Sequence, residues 1–314
     1  MIFAGLIAVA LAGAVITSCK KEKTETTTTP DDSAAQMQKA SDDSNTEGNS
    51  NQAVDDANTV LSAIPNTSGK TDGIESFTVG ICGATIDTSQ ISSGKITLTF
   101  DGTTACNGVT RSGTIALQLA GGIKWKNAGA TVTMTFTNYK VTKISNSKSL
   151  TFNGTHTVTN VSGGLFPSIL FGNTLVHKVR ANMTLTFDDG TIRAWQAARL
   201  KTLSGSGTSI ATLTLTATVA GDTTLSGVAN TETWGTTRAG DAFTSTLTDL
   251  SVNNHCGWNR PTSGVKTITV GSKSLTITAG VDASGNIVSS GCPDYYKINW
   301  INAAGVAKQA VITY

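Results

Sequence analysis

An all-β fold is what this sequence predicts, and three observations predict it. Thr supplies 53 of the 314 residues and Gly 32; β-branched side chains are stiff in helices and suit a pleated surface. From residue 76 onward apolar residues recur with a period of two, the signature of half-buried strands. Tight-turn pairs such as Asp101-Gly102, Asn107-Gly108 and Asp189-Gly190 separate the runs, which suits an antiparallel meander. A hydrophobic fraction of 39% with 14% charged residues excludes a wholly disordered chain, and Gly lacks the three-residue period of collagen.

In chain order, residues 2–16 form an unbroken apolar run ending at Thr17-Ser18-Cys19. Some 15 apolar residues are short for a membrane span and suit a signal-peptide core, so 1–18 reads as a signal peptide. A small residue directly before a Cys at that place resembles the lipobox of bacterial lipoproteins. The resemblance implies that Cys19 is acylated, with palmitate among the lipids, and becomes the mature N-terminus. Lys20-Lys21-Glu22-Lys23 resembles lipoprotein starts of the Bacteroidota, which leaves the periplasm-facing and the surface-exposed leaflet both open. Residues 19–50 are polar and acidic and predict a disordered tether. Ala53, Val54, Ala57, Val60, Leu61 and Ile64 then recur at helical spacing, predicting a short amphipathic helix over 51–64.

The body follows as strands. Ile96, Leu98 and Phe100 alternate with Thr; so do Val132, Met134 and Phe136, then Met183, Leu185 and Phe187, then Leu213, Leu215, Ala217 and Val219. Each run buries one face and turns hydroxyls outward. The Gly/Ser stretch 203–209 reads as a hinge or a long hairpin loop. The expected architecture is therefore one large sandwich or two β lobes, 76–203 and 210–314.

Four further cysteines, Cys82, Cys106, Cys256 and Cys292, make an even set, as expected for disulfides in an exported chain, with three possible connectivities. Local pairing is favoured because each pair brackets a hairpin-like stretch, and the two stretches look like copies of one strand-hairpin-Cys-strand motif. Zinc does not suit separations of 24 and 36 residues, so no metal or other cofactor is expected. The stretches Cys82–Thr85, Cys106–Gly113, Asp189–Trp195 and the His255-Cys256 to Cys292-Pro293-Asp294 region resemble a group of exported all-β lipoproteins of the Bacteroidota. That resemblance implies export, disulfides and a β fold, and carries no activity.

Charge is unevenly divided. Residues 20–75 hold five Lys and eleven carboxylates, a net −6, and residues 76–314 hold eighteen Lys and Arg against ten carboxylates, a net +8. The basic residues lie one or two per strand, as on solvated strand faces, without the basic stripe and aromatics of a nucleic-acid binder. Candidate chemistry is sparse, and no catalytic residue is assigned. Glu232 with Asp188 or Asp189 is the best available carboxylate pair for a glycosidase, and five Trp offer surfaces for sugar stacking or sheet packing. The expected function is a lipid-anchored outer-membrane module of the cell envelope, held to the membrane by its N-terminal lipid and binding a glycan or an envelope protein. A carbohydrate-active enzyme on the same scaffold is the alternative.

Overall fold

A computed structural model describes residues 32–64, 80–207, 214–257 and 260–314. One helix, α1 (Ser33–Ala63), precedes fifteen strands: β1 (Ala84–Asp87), β2 (Lys95–Asp101), β3 (Val109–Leu119), β4 (Ala130–Lys143), β5 (Ser149–Asn160), β6 (Leu175–Phe187), β7 (Ile192–Ser206), β8 (Thr214–Gly221), β9 (Thr223–Leu225), β10 (Val228–Thr236), β11 (Ala242–Asn253), β12 (Ser263–Val270), β13 (Lys273–Val281), β14 (Tyr295–Ile301) and β15 (Ala307–Thr313). Among the described residues the protein is all-β apart from that helix and two short 3-10 turns.

All fifteen strands belong to one antiparallel sheet. β8 and β10 fill a single place in it. The Arg199–Ser206 part of β7 pairs with β8, and its Trp195–Ala197 part pairs with β10. On the other side, Leu250–Asn253 of β11 face β8 while Ala242–Thr246 face β10. All the strands share one sheet and Asp31–Tyr314 is one compact unit, so two separate β lobes, 76–203 and 210–314, are not formed. Residues 203–206 continue β7 in register with β8, strand rather than hinge or loop, and residues 208–213 lie outside the described residues.

The sheet curls round α1. The helix touches side chains of β3, β7, β12 and β14 and the β10–β11 turn, places far apart in strand order. Its apolar residues Ala53, Val54, Ala57, Val60 and Leu61 join the core with Ile96, Leu117, Met134 and Trp195. The helix is thus 31 residues long and begins at Ser33, within the stretch expected to be a disordered tether. Its first half is held by local bonds, Gln38 Nε2 to Asp42 Oδ1 at 2.7 Å and Thr46 Oγ1 to the Asp42 carbonyl at 2.7 Å, and by partners on the sheet. Curvature is set by bulges. At the bulge of β3 against β4, Gly113 has φ +88°, and a Cβ there would stand 2.1 Å from the Asn138 carbonyl oxygen.

Candidate functional site

The unusual chemistry of this molecule lies inside the sheet. Along β7, Arg193, Trp195, Ala197, Arg199, Lys201 and Leu203 are all buried on alternate positions, so three cations share the face of the core residues. Arg111 on β3 and Lys266 on β12 are buried too. These five do not decorate solvated strand faces as their scatter in the sequence suggested. They meet the carboxylates of α1. Arg111 Nη1 lies 2.5 Å from Asp56, Lys201 Nζ 3.1 Å from Asp55, and Arg193 Nη2 3.8 Å from Asp43. Arg238, in the β10–β11 turn, holds Asp42 at 2.7 Å and the exposed Asp189 at 2.8 Å.

At the centre, Lys266 Nζ is 2.8 Å from Asp43, 2.9 Å from Glu47 and 3.0 Å from Glu232, and Arg199 pairs with both Glu47 and Glu232. A bulge explains how Glu232 reaches this place. The register of β10 against β11 shifts between Thr231 and Thr233, three consecutive residues are buried, and the extra residue turns its carboxylate inward. Five helix carboxylates and Glu232 thus face six cations, Arg111, Arg193, Arg199, Lys201, Arg238 and Lys266. The pairs are shared: Lys266 meets three carboxylates, and Arg199 and Arg238 two each. Four of the arginines also stack on aromatic rings, Arg238 on Phe187 at 3.6 Å, Arg193 on Phe243 at 4.4 Å, Arg111 on Phe100 at 4.5 Å and Arg199 on Trp195 at 5.2 Å.

Burial sets the proton affinities. It raises Asp55 to about 6 against the opposing pull of Lys201, and raises Glu47 to about 7 against Arg199. Burial would also raise Glu232, but Arg199 and Lys266 outweigh it and hold that carboxyl below the ordinary glutamate range. A carboxylate so held is ionised and has no proton to give at neutral pH. The glycosidase pair considered above is not assembled, since Glu232 is fully buried while Asp188 and Asp189 stand on the exposed β6–β7 turn. Two histidines share the interior. His156, between Phe136 and Trp195, and His177, beside Trp125, are each lowered to about 3, chiefly by burial. Trp125, Trp195 and Trp300 are buried, so sheet packing accounts for them.

The disulfides are Cys82–Cys106 and Cys256–Cys292, the local pairing, and they place the protein in an oxidising, non-cytoplasmic compartment. Both disulfide loops border one cleft of about 760 Å³, whose lining includes Asn49 and Gln52 of α1, Asn107, Asn254, His255 and Arg260. Arg111 ties this cleft to the interior, donating to the Cys82 carbonyl at 2.7 Å while paired with Asp56. Polar side chains from three parts of the chain line it; of these, Gln52 Nε2 donates to Asp56 at 3.0 Å and Asn254 Oδ1 accepts from the Leu215 N–H at 2.8 Å. Cys19 and Trp258 lie outside the described residues. No described helix is long and apolar enough to cross a membrane.

Fold and interior together define a class: a curled antiparallel sheet packed round an internal helix whose carboxylates it meets with buried cations. No protein-family model, curated protein or solved structure matches the chain.

Proposed function

We propose that this is an exported protein of the cell envelope, anchored to the outer membrane by lipid on Cys19 in the manner of Bacteroidota lipoproteins, and that it serves as a non-catalytic binding or structural module. The observation that carries the non-catalytic reading is the interior itself. The only Glu beyond Glu75 is locked between Arg199 and Lys266, and the helix carboxylates are matched to structural cations. Export is supported by the two disulfides, and acylation by a Cys directly after an apolar run and a small residue. Metabolic labelling with palmitate tests it: the wild type takes up label and Cys19→Ala does not. Label retained by that variant, or absent from the wild type, refutes the anchor.

The amide-lined cleft favours glycan binding as the form this module takes, over hydrolysis of a glycan. A glycan-array screen of residues 20–314 with intact disulfides is expected to give hits that weaken in Gln52→Ala and Asn107→Ala. A blank array, or hits unaffected by both substitutions, removes the cleft from the reading.

A further inference from the structure

We infer that the β14–β15 hairpin tip is a second membrane contact, inserted into the bilayer that carries the anchor. The inference rests on the lipid-anchor reading and adds a site to it. Between Trp300 and Lys308 the chain reads Ile-Asn-Ala-Ala-Gly-Val-Ala, seven residues without an ionisable group. Ile301 is 55% and Val306 51% exposed, and Ala303, Ala304 and Ala307 are exposed as well. These side chains project from a rigid turn. The Asn302 side-chain oxygen accepts from the backbone N–H groups of Ala304 at 3.0 Å and Val306 at 2.9 Å, and the backbone closes between Asn302 and Val306 at 2.9 Å. The turn's own polar groups are thus partly satisfied before any contact with lipid, the condition for burying backbone there. Lys308, exposed and one residue behind the apolar tip, stands where lipid phosphates would meet it.

The tip's place selects the partner. Trp300 Nε1, one residue before Ile301, donates to Asp32 at 2.9 Å, so the hairpin sits where the chain from Cys19 enters the helix. Twelve residues, 20–31, separate Cys19 from Asp32, a stretch that spans at most about 45 Å. A tether this short keeps a weakly apolar tip at an effective concentration on the order of mM next to the membrane, enough for a small surface to dock. The most exposed aromatic among the described residues, Phe171 at 83%, belongs to the β5–β6 loop at the opposite ends of the strands and lacks this proximity.

The test uses the full acylated chain in vesicles of phosphatidylethanolamine and phosphatidylglycerol, with acylation and both disulfides checked by mass. An environment-sensitive fluorophore is attached at Ala304→Cys or, as the opposite-end control, at Asn127→Cys in the β3–β4 loop. The Ala304 probe is expected to shift to the blue and to be quenched by lipid-borne quencher, with loss of both in an Ile301→Ser, Val306→Ser background; the Asn127 probe is expected to stay in water. An acylated protein whose Ala304 probe is as solvated as the Asn127 probe overturns the hairpin contact and leaves the anchor standing. So does insertion of the Asn127 probe alone. Failure of acylation removes the anchor, and the hairpin contact with it.

Discussion

Replacing Lys266 by Met tests the central claim, that the sheet's interior cations are there to meet the helix. Lys266 Nζ has three carboxylates within 3.0 Å, from Asp43, Glu47 and Glu232. At an effective dielectric near 20 each such contact is worth about 5 kcal/mol before desolvation. Most of that is offset by taking the charges out of water, so the measurable quantity is the cost of stranding the partners, about 3–5 kcal/mol. Against a total stability of about 5–15 kcal/mol this is a large loss. Its pH dependence has a definite sign. Glu47 is already raised to about 7 by burial, and losing the ammonium raises it further. A carboxyl whose folded pKa exceeds its unfolded value contributes stability below the unfolded value and loses it as pH rises through the folded one. The deficit of Lys266→Met relative to wild type is therefore greatest near pH 8 and shrinks towards pH 5. Adding Glu47→Gln removes one charge of each sign and is expected to restore about 1–2 kcal/mol. Urea unfolding at the two pH values measures all three proteins. A single variant within about 0.5 kcal/mol of wild type at both, the range of a surface substitution, would refute the buried network.

Three further outcomes are expected. His156→Phe fits a ring already packed 4.7 Å from Phe136; because burial lowers His156 to about 3, its stabilising effect is complete above the unfolded value and is lost as pH falls towards 3. Removing it should flatten the acid limb of stability by up to about 1.4 kcal/mol per pH unit, and an unchanged limb in acid titrations followed by circular dichroism counts against its burial. Cys256→Ser with Cys292→Ser opens a loop of 36 residues, for which chain entropy gives a loss of about 4 kcal/mol; urea midpoints under non-reducing conditions check it, and a loss under about 1 kcal/mol contradicts it. Gly113→Ala forces a side chain into φ +88° and against the Asn138 carbonyl, and about 3 kcal/mol of destabilisation should lower the melting temperature by about 6–12 °C. A melting temperature equal to wild type would mean that the β3–β4 bulge is absent.

Strand parity, turn residues and cysteine spacing were enough to read the antiparallel strands and the disulfides, but not that every strand joins one sheet. The first half of the helix was not legible, because Ser41–Ser50 (SDDSNTEGNS) combines poor helix formers with acids, and its helicity comes from partners on strands up to 219 residues away. The cations were closer to legible. Arg193, Arg199 and Lys201 share parity with Trp195 and Leu203, so the period-two rule that placed the apolar residues inside placed these inside too; the assumption that charge means solvent overrode it. Glu232 was beyond reach, since its direction depends on a bulge that alternation does not encode.

Net charges of −6 and +8 on the two parts of the chain have a structural meaning in this light. The sheet cannot close with Arg111, Arg193, Arg199, Lys201 and Lys266 inside unless anions fill it, and a segment as polar as Ser33–Asn51 has little reason to be helical in water. Each supplies what the other lacks, so helix and sheet fold as one unit. The matching also discriminates between registers. Asp42 and Asp43 meet cations at the β10–β11 turn and on β7 and β12, while Asp55 and Asp56, thirteen residues on, meet Lys201 and Arg111. Sliding the helix by one turn would move every carboxylate by about 5.4 Å and strand several buried charges at once, at about 3–5 kcal/mol each. A helix with only an apolar stripe would resist such a slip far less. The acidic segment over residues 33–56 is therefore the interior of the domain rather than a disordered tether.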